Sequence, residues 1–217
     1  MDCSITPSKN FASSVKIGNA TGFLVYGTHK CSPVGISLQE AQSRAVLLLQ
    51  AREEYRAEQA FWTGDLGNTP NLVTGAVTLG GGAVAPEVAL ALLEDWIADN
   101  YGSLGVIHVT RGAALALIAA KLVERDGGVL RTLIGTPVVA AAGYPGTSPA
   151  GANPAAGTSW GFVSPAVFGY RSEVFDATSR VGDLLNRATN DMYAIAERIY
   201  LLGFDNCGTA AVNFNLT

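Results

Sequence analysis

The sequence predicts an α+β fold in a single intertwined unit, and three features carry that expectation. From Ser37 to Phe61 the chain runs twenty-five residues without Gly or Pro, a length that suits a helix and not a strand. Beyond Gly105, short β-branched runs alternate with Gly and Pro breaks, as strands and turns do. From Met192 to Phe204 lies a stretch rich in Ile, Leu and Tyr, followed by the turn sequence Asp205-Asn206-Cys207-Gly208. Val212, Phe214 and Leu216 then alternate along Ala210–Leu216. The two runs read as a β-hairpin, with a helix over Met192–Leu202 as the competing assignment. No repeat, linker or charge block divides the 217 residues.

Taken in order, residues 1–36 are polar and rich in Ser, Thr and Gly. They read as an arm that needs a partner to become ordered, because they cannot bury enough apolar surface alone. One short run within them, Gly22–Gly27, has strand character. Ser37-Leu38-Gln39-Glu40 is a capping box, in which serine and glutamate satisfy orphan amides at a helix start. Glu40 precedes Arg44 by four residues, the favourable order for an exposed helical pair. Leu38, Ala41, Ala45, Leu48, Leu49, Arg52, Tyr55 and Phe61 trace a mostly apolar stripe at helical spacing. The rod so formed is about 37 Å long. Trp62–Leu72 is dense in turn formers and predicts a structured loop.

The Gly-rich stretch Leu79–Ala83 leads into a second helix, with Pro86 in its first turn, Glu87 complementing its dipole and Gly102 stopping it. Gly105–Thr110 predicts a buried strand, and Gly112–Val123 a helix of small residues ending before the Gly127-Gly128 turn. Strands are expected at Leu130–Ile134 and Thr136–Ala141, on either side of Gly135. Tyr144–Gly157 is low in complexity and predicts a flexible loop. Trp160–Tyr170 reads as two short strands broken at Ser164-Pro165, and Val181–Ala188 as a short helix.

Apolar residues make up 48% of the chain and charged residues 15%, below the usual quarter. That deficit is a mild signal for oligomerisation. The net charge of −4 makes the chain a poor non-specific binder of DNA or of anionic membrane. Any nucleic acid nearby would be contained and not gripped. Cys3, Cys31 and Cys207 lack ligand spacing and fit idle thiols in a reducing compartment. MDCSITPSKN is not a secretory signal, and the longest small-and-apolar run, Gly112–Ala120, is too short to span a bilayer. The chain is therefore expected to be soluble and cytoplasmic when made.

No catalytic constellation is legible, so no catalytic, cofactor or metal residues are predicted. The two histidines are His29, in the polar arm, and His108, in an apolar strand. A histidine in such a strand is most often a satisfied core or interface residue. Gly80-Gly81-Gly82 lacks the Lys-Ser/Thr of a phosphate loop and reads as a hinge or tight turn. Glu53 and Glu54 read as a solvated face beside Arg52 and Arg56. Glu94, Asp95 and Asp99 read as the polar side of the second helix. Glu197-Arg198, set inside an apolar run, implies either burial with partners or exposure at an inter-subunit contact.

Three stretches in this order resemble the HK97-fold major capsid protein of tailed bacteriophages, a fold shared with encapsulin shells. The first is Arg52–Phe61 running into Trp62–Asn68, similar to the family's spine helix and the loop after it. The second is Val106-Ile107-His108, the following helix and Gly135-Thr136-Pro137-Val138-Val139. The third is Trp160–Arg171, then Met192–Phe204 and the final strand. Together they span residues 37–216.

The resemblance implies an HK97-like capsid fold with a long spine helix, peripheral and axial lobes, and a short N-terminal arm. Residues 1–36 would be the arm and a reduced E-loop region, and 37–217 the core. Within that core the peripheral domain would hold the spine helix (37–61) and the C-terminal strands, and the axial domain residues 85–170. The implied function is a non-enzymatic major capsid protein that self-assembles through hexameric and pentameric capsomers into an icosahedral head around double-stranded DNA. Its place would be the virion, after assembly in the bacterial host cytoplasm. Portal, scaffold or decoration proteins would be further partners, with no cofactor and no membrane. Some members cross-link through a lysine and an asparagine. Lys16 and Lys30 lie in the arm, but no motif carries that chemistry over. The alternatives are an encapsulin-like nanocompartment, a neck or tail component, and a small α/β enzyme with a ligand near Gly80–Gly82.

Overall fold

The computed structural model describes residues 20–32, 34–176, 185–186, 191–205 and 208–216. Its longest helix, α1, spans Leu38–Thr63. The Ser37 side chain accepts from the Glu40 amide at 3.2 Å, the serine half of the capping box, while the Glu40 carboxylate pairs with Arg44 at 2.7 Å, as the i,i+4 spacing predicts. Gly64, with φ of 79°, ends the helix by donating its N–H to the Ala60 carbonyl, the left-handed stop that glycine adopts without strain. The buried face is the row Ala41, Ala45, Leu49, Glu53 and Ala57, with Ala60, Phe61 and Trp62 at its end. The predicted stripe erred in part, because Leu48 and Tyr55 are exposed, as is Arg52.

Small side chains in this row let a strand approach closely. Strand β1, Phe23–Cys31, lies against α1, and a Cβ on Gly27 would stand 2.5 Å from the Leu49 nitrogen. β1 pairs antiparallel with a long strand at Asp191–Phe204 (β11), in register from Phe23 opposite Tyr200 to Cys31 opposite Met192. This corrects the arm expectation for residues 23–31: their partner lies in the same chain. Residues 1–19 lie outside the described residues.

On β11 the residues 192, 194, 196, 198 and 200 are all buried, the two-residue alternation of a strand, so the competing helix assignment falls. Three shorter strands pair along its opposite edge: Val167–Arg171 (β8), Phe175–Asp176 (β9) and Leu185–Asn186 (β10). The five-stranded sheet and α1 enclose a core of Phe23, Val25, Ala45, Leu49, Ala194 and Tyr200, among others. The short helix predicted at 181–188 falls mostly outside the described residues. Its two described members, Leu185 and Asn186, are in β10.

The second sheet has seven strands in the order β2-β12-β7-β3-β6-β5-β4. They are β2 Val77–Val84, β3 Val106–Thr110, β4 Val123–Asp126, β5 Val129–Thr132, β6 Pro137–Ala141, β7 Thr158–Ser164 and β12 Ala210–Asn215. Helices α2, Pro86–Tyr101, and α3, Arg111–Ala119, pack on it. Leu93 and Ile97 of α2 meet Ile107, Leu117, Val212 and Phe214 in its core.

Three expectations are corrected here. β12 does not form a hairpin with β11. It crosses to the other sheet and lies between β2 (parallel) and β7 (antiparallel). The alternation was real, since Val212 and Phe214 face the α2 core and Ala211 the opposite side, but alternation does not name a partner. Gly80–Gly82 are not a turn but part of β2, beside a register shift between Val212 and Phe214 of β12. The helix predicted to reach Val123 stops at Ala119, and after Lys121 at φ 58° the chain enters the β4–β5 hairpin around Gly127-Gly128. The break at Ser164-Pro165 does more than separate two strands, because it sends β7 and β8 to different sheets.

A third cluster ties the sheets together through Phe61, Trp62, Leu72, Tyr144, Phe162 and Phe204. Here the flexible-loop expectation for Tyr144–Gly157 is corrected in its first half. Tyr144, Thr147 and Ser148 are buried, and the Trp62 indole N–H donates to Thr147 Oγ1 at 3.1 Å. The adjoining Gly143 amide donates to Glu58 at 2.8 Å. A pattern of Pro, Gly and Ala reads as loose only when nothing holds it.

Candidate functional site

Two buried polar groups stand where the sheets meet α1. Arg198 of β11 donates to Glu53 Oε1 at 2.7 Å, and the two residues are 9% and 4% exposed. Of the alternatives for Arg198, burial with a partner is the one found. The reading of Glu53 as solvated is corrected: every-fourth spacing puts it in the inward row, where Arg198 compensates its charge. Glu54 is exposed and Glu197 half-buried. Tyr200, two residues along the same face, stacks on Phe23 at 5.9 Å, and burial raises its hydroxyl above the usual tyrosine value.

The second group is His108. Its Nδ1 lies 3.0 Å from the Tyr144 hydroxyl and its Nε2 2.9 Å from Ser164 Oγ. Ser164 donates its own proton to the Pro165 carbonyl at 3.0 Å. Nε2–H must then donate to Ser164, and Nδ1 accepts from Tyr144, which leaves one proton on each bond. Burial lowers the imidazole to about 3, and burial, with the Glu58 charge behind it, raises Tyr144. A neutral ring whose nitrogens are both engaged, with its serine's proton pointed elsewhere, works as a core pin, as its apolar strand predicted.

The remaining residues weighed from sequence do not converge. His29 sits in β1 opposite Ala194, with its Nε2 buried and without a hydrogen-bond partner among the described residues. Lys30 pairs with Asp191 at 2.8 Å and lies over the Tyr193 ring. The hydrogen bond to Asp191 is the main cause raising its pKa. Cys31 is a free, half-buried thiol. Cys3, Lys16 and Cys207 lie outside the described residues. Glu94 is no free polar face: it accepts from Thr132 Oγ1 at 2.9 Å and Thr136 Oγ1 at 2.7 Å. Among the described residues, no group of three His, Cys, Asp or Glu is placed to hold a metal ion, and no helix is long and apolar enough to cross a membrane.

The surface is more telling than the interior. A cleft of about 400 Å³ opens between the second half of α1, strands β3 and β6, and strands β8 and β11. Ala57, Phe61, Val106, Val139, Val167 and Leu202 wall it, with Glu54, Glu58 and Arg171 also in its lining. Large apolar side chains stand exposed at many places, among them Tyr26, Leu47, Leu48 and Tyr55 on β1 and α1, Leu115 on α3, and Leu133 and Ile134 in the turn between β5 and β6. Sequence reasoning missed the cleft, Tyr144 and the Glu53–Arg198 pair. The one available signal was the charged dipeptide inside an apolar strand.

No family model matches the chain, and no curated protein matches it in sequence. Solved structures do match. A structure from Gordonia phage Cozz aligns over 97% of this chain and 79% of its own, with TM-score 0.60 and 12% identity. The holo-SrpI encapsulin complex from Synechococcus elongatus PCC 7942 aligns over 91% of this chain and 75% of its own, with TM-score 0.56 and 11% identity. The capsid of an empty GTA particle aligns over 99% and 83%, with TM-score 0.55 and 14% identity. The architecture is thus of the α+β class found in shell proteins. More narrowly, it is the HK97-like fold of phage capsids and encapsulin that the three sequence stretches resemble.

Proposed function

We propose that this chain is a shell-forming structural protein, the major capsid protein of a tailed bacteriophage, and not an enzyme. The observation that carries the reading is the HK97-like fold over nearly the whole chain. Its exposed apolar side chains add support, because a surface of this kind is normally covered by another molecule. On this reading α1 and the five-stranded sheet, β1 included, form the peripheral lobe, and residues 85–170 form most of the axial lobe. Identical copies join as hexameric and pentameric capsomers of an icosahedral head that encloses double-stranded DNA without reading its sequence. The head is assembled in the bacterial cytoplasm, with portal, scaffold or decoration proteins as further partners.

An encapsulin-like nanocompartment is the second reading, favoured by the match to the SrpI encapsulin complex. Electron microscopy of particles from the native host, with analysis of their contents, separates the two. Closed shells holding nuclease-protected DNA support the capsid, and closed shells holding a protein cargo support the nanocompartment. Tubes or open rings point to a neck or tail component. A monomer at high concentration that turns over a small molecule overturns the proposal.

A further inference from the structure

Helix α2 carries acidic residues at the end that disfavours them. Its charged residues are Glu87, Glu94, Asp95 and Asp99, and it has no Lys or Arg. Glu94 is engaged by Thr132 and Thr136. Asp95 and Asp99 stand exposed in the last two turns, beside the negative pole of the helix dipole. Neither has an ion pair or a hydrogen bond among the described residues. Glu40 and Asp126, by contrast, are paired with Arg44 and Arg131. Val88, Ala91, Asp95 and Ala98, three and four residues apart, form one exposed stripe with Asp99 beside it.

The opposite chemistry lines a groove of about 550 Å³ between β1 and α1. Leu24, Tyr26, Leu48 and Leu66 in its lining are each at least 40% exposed. Arg52 and Arg56 are in the lining too, and both are exposed. Arg56 donates to the uncharged Gln59 side chain, and neither arginine has a carboxylate partner among the described residues. Glu53 also borders the groove, but its charge is held by Arg198. Arg52 and Arg56 are four residues apart, as Asp95 and Asp99 are, about 6 Å along each helix. Two ion pairs between the helices can therefore form together.

We infer that the α2 stripe of one copy docks along the β1–α1 groove of a second copy, with Asp95 and Asp99 against Arg52 and Arg56. The charges match in sign and spacing, and the small side chains of Ala91 and Ala98 let the helix come close to the apolar lining. A cation set against the last turns of α2 also relieves the conflict between its aspartates and its dipole. Stripe and groove are different surfaces, so the contact is heterologous, the kind that closes rings when the rotation fits. The inference rests on the proposed self-assembly and names a contact that drives it.

The test uses the full chain and two charge-reversal variants at exposed positions, Arg52→Glu/Arg56→Glu in the groove and Asp95→Lys/Asp99→Lys on the stripe. Circular dichroism and thermal unfolding check that each folds. The neutral variants Arg52→Gln/Arg56→Gln and Asp95→Asn/Asp99→Asn replace any that does not, and are read by a loss of salt dependence. Sedimentation velocity at low and high salt measures association. Each variant alone should associate about tenfold or more weakly than wild type at low salt, because like charges then face each other. Replacing the aspartates should at the same time hold or raise the melting temperature of the monomer, which loss of a merely structural role would lower. A one-to-one mixture of the reversal variants sets a basic stripe on an acidic groove in one direction and the native charges in the other, and should regain association. Folded variants that assemble as wild type does overturn this contact while leaving the shell reading intact. Loss on one surface alone, or a mixture that regains nothing, overturns the pairing of these two surfaces. A wild-type chain that never associates overturns both.

Discussion

Arg198 and Glu53, 145 positions apart, meet at 2.7 Å beneath the five-stranded sheet and fix how far α1 can slide along β11. The pair packs beside Leu49, Ala57 and Ala196, and both side chains are almost wholly buried. Replacing one member, as in Glu53→Gln or Arg198→Met, should lower unfolding free energy by about 3–5 kcal/mol, because the other charge is stranded. The double variant Glu53→Leu/Arg198→Met should recover most of that loss in urea unfolding. A double variant as unstable as the singles would show that the pair does not act as a unit.

His108 gives the protein a specific acid sensitivity. Its folded-state value of about 3 lies below the ordinary 6.5, so the unfolded chain binds a proton that the folded chain refuses. The contribution is fully present above pH 6.5 and is lost as pH falls from there toward 3, by at most about 1.4 kcal/mol per pH unit. His108→Gln keeps hydrogen-bonding capacity without titrating. The difference in stability between wild type and this variant, followed from pH 7 to pH 4, should therefore narrow steadily. A difference independent of pH would mean that the ring protonates in place.

Gly27 is where β1 touches α1 most closely. A Cβ there would fall within 2.8 Å of three backbone atoms of Ala45 and Leu49, none of which can rotate away. Gly27→Ala should cost about 1–3 kcal/mol, while Gly81→Ala, in open space, should change stability by well under that. Parallel denaturant titrations check the contrast.

Glu94 ties α2 to the β5–β6 turn. With charge-assisted hydrogen bonds contributing about 1.5–3 kcal/mol each when buried and Glu94 only half-buried, Glu94→Ala should cost about 2 kcal/mol in all. Amide exchange should speed up at Gly135 and Thr136 and stay unchanged in the middle of α1. Uniform acceleration would mean that the effect is global and not local.

These residues also show what a sequence can reveal. The start of α1 was legible because Ser37 and Glu40 act within one turn, and the strand character of β11 because its apolar residues alternate. The inward face of α1 was misread because a glutamate is scored as solvated until its partner, far along the chain, is known. The β11–β12 hairpin was misread for a related reason: proximity in sequence favours pairing, but β12 lies between β2 and β7 of the other sheet. His108 was legible as a core residue from its apolar strand. Tyr144 was hidden in a segment whose composition suggested looseness. The tip at Leu133 and Ile134 was read as the end of a strand, since exposure is a property of the assembled sheet and not of the local run.

The position of β12 has a consequence for synthesis. Residues 210–215 fill a slot between β2 and β7, strands made much earlier, so a nascent chain holds that slot open until residue 215 has left the ribosome. The Val212 and Phe214 sites in the α2 core stay vacant for the same interval. Folding of the seven-stranded layer is therefore deferred until this segment has emerged, and a chain cut before residue 210 exposes two raw strand borders instead of one finished sheet.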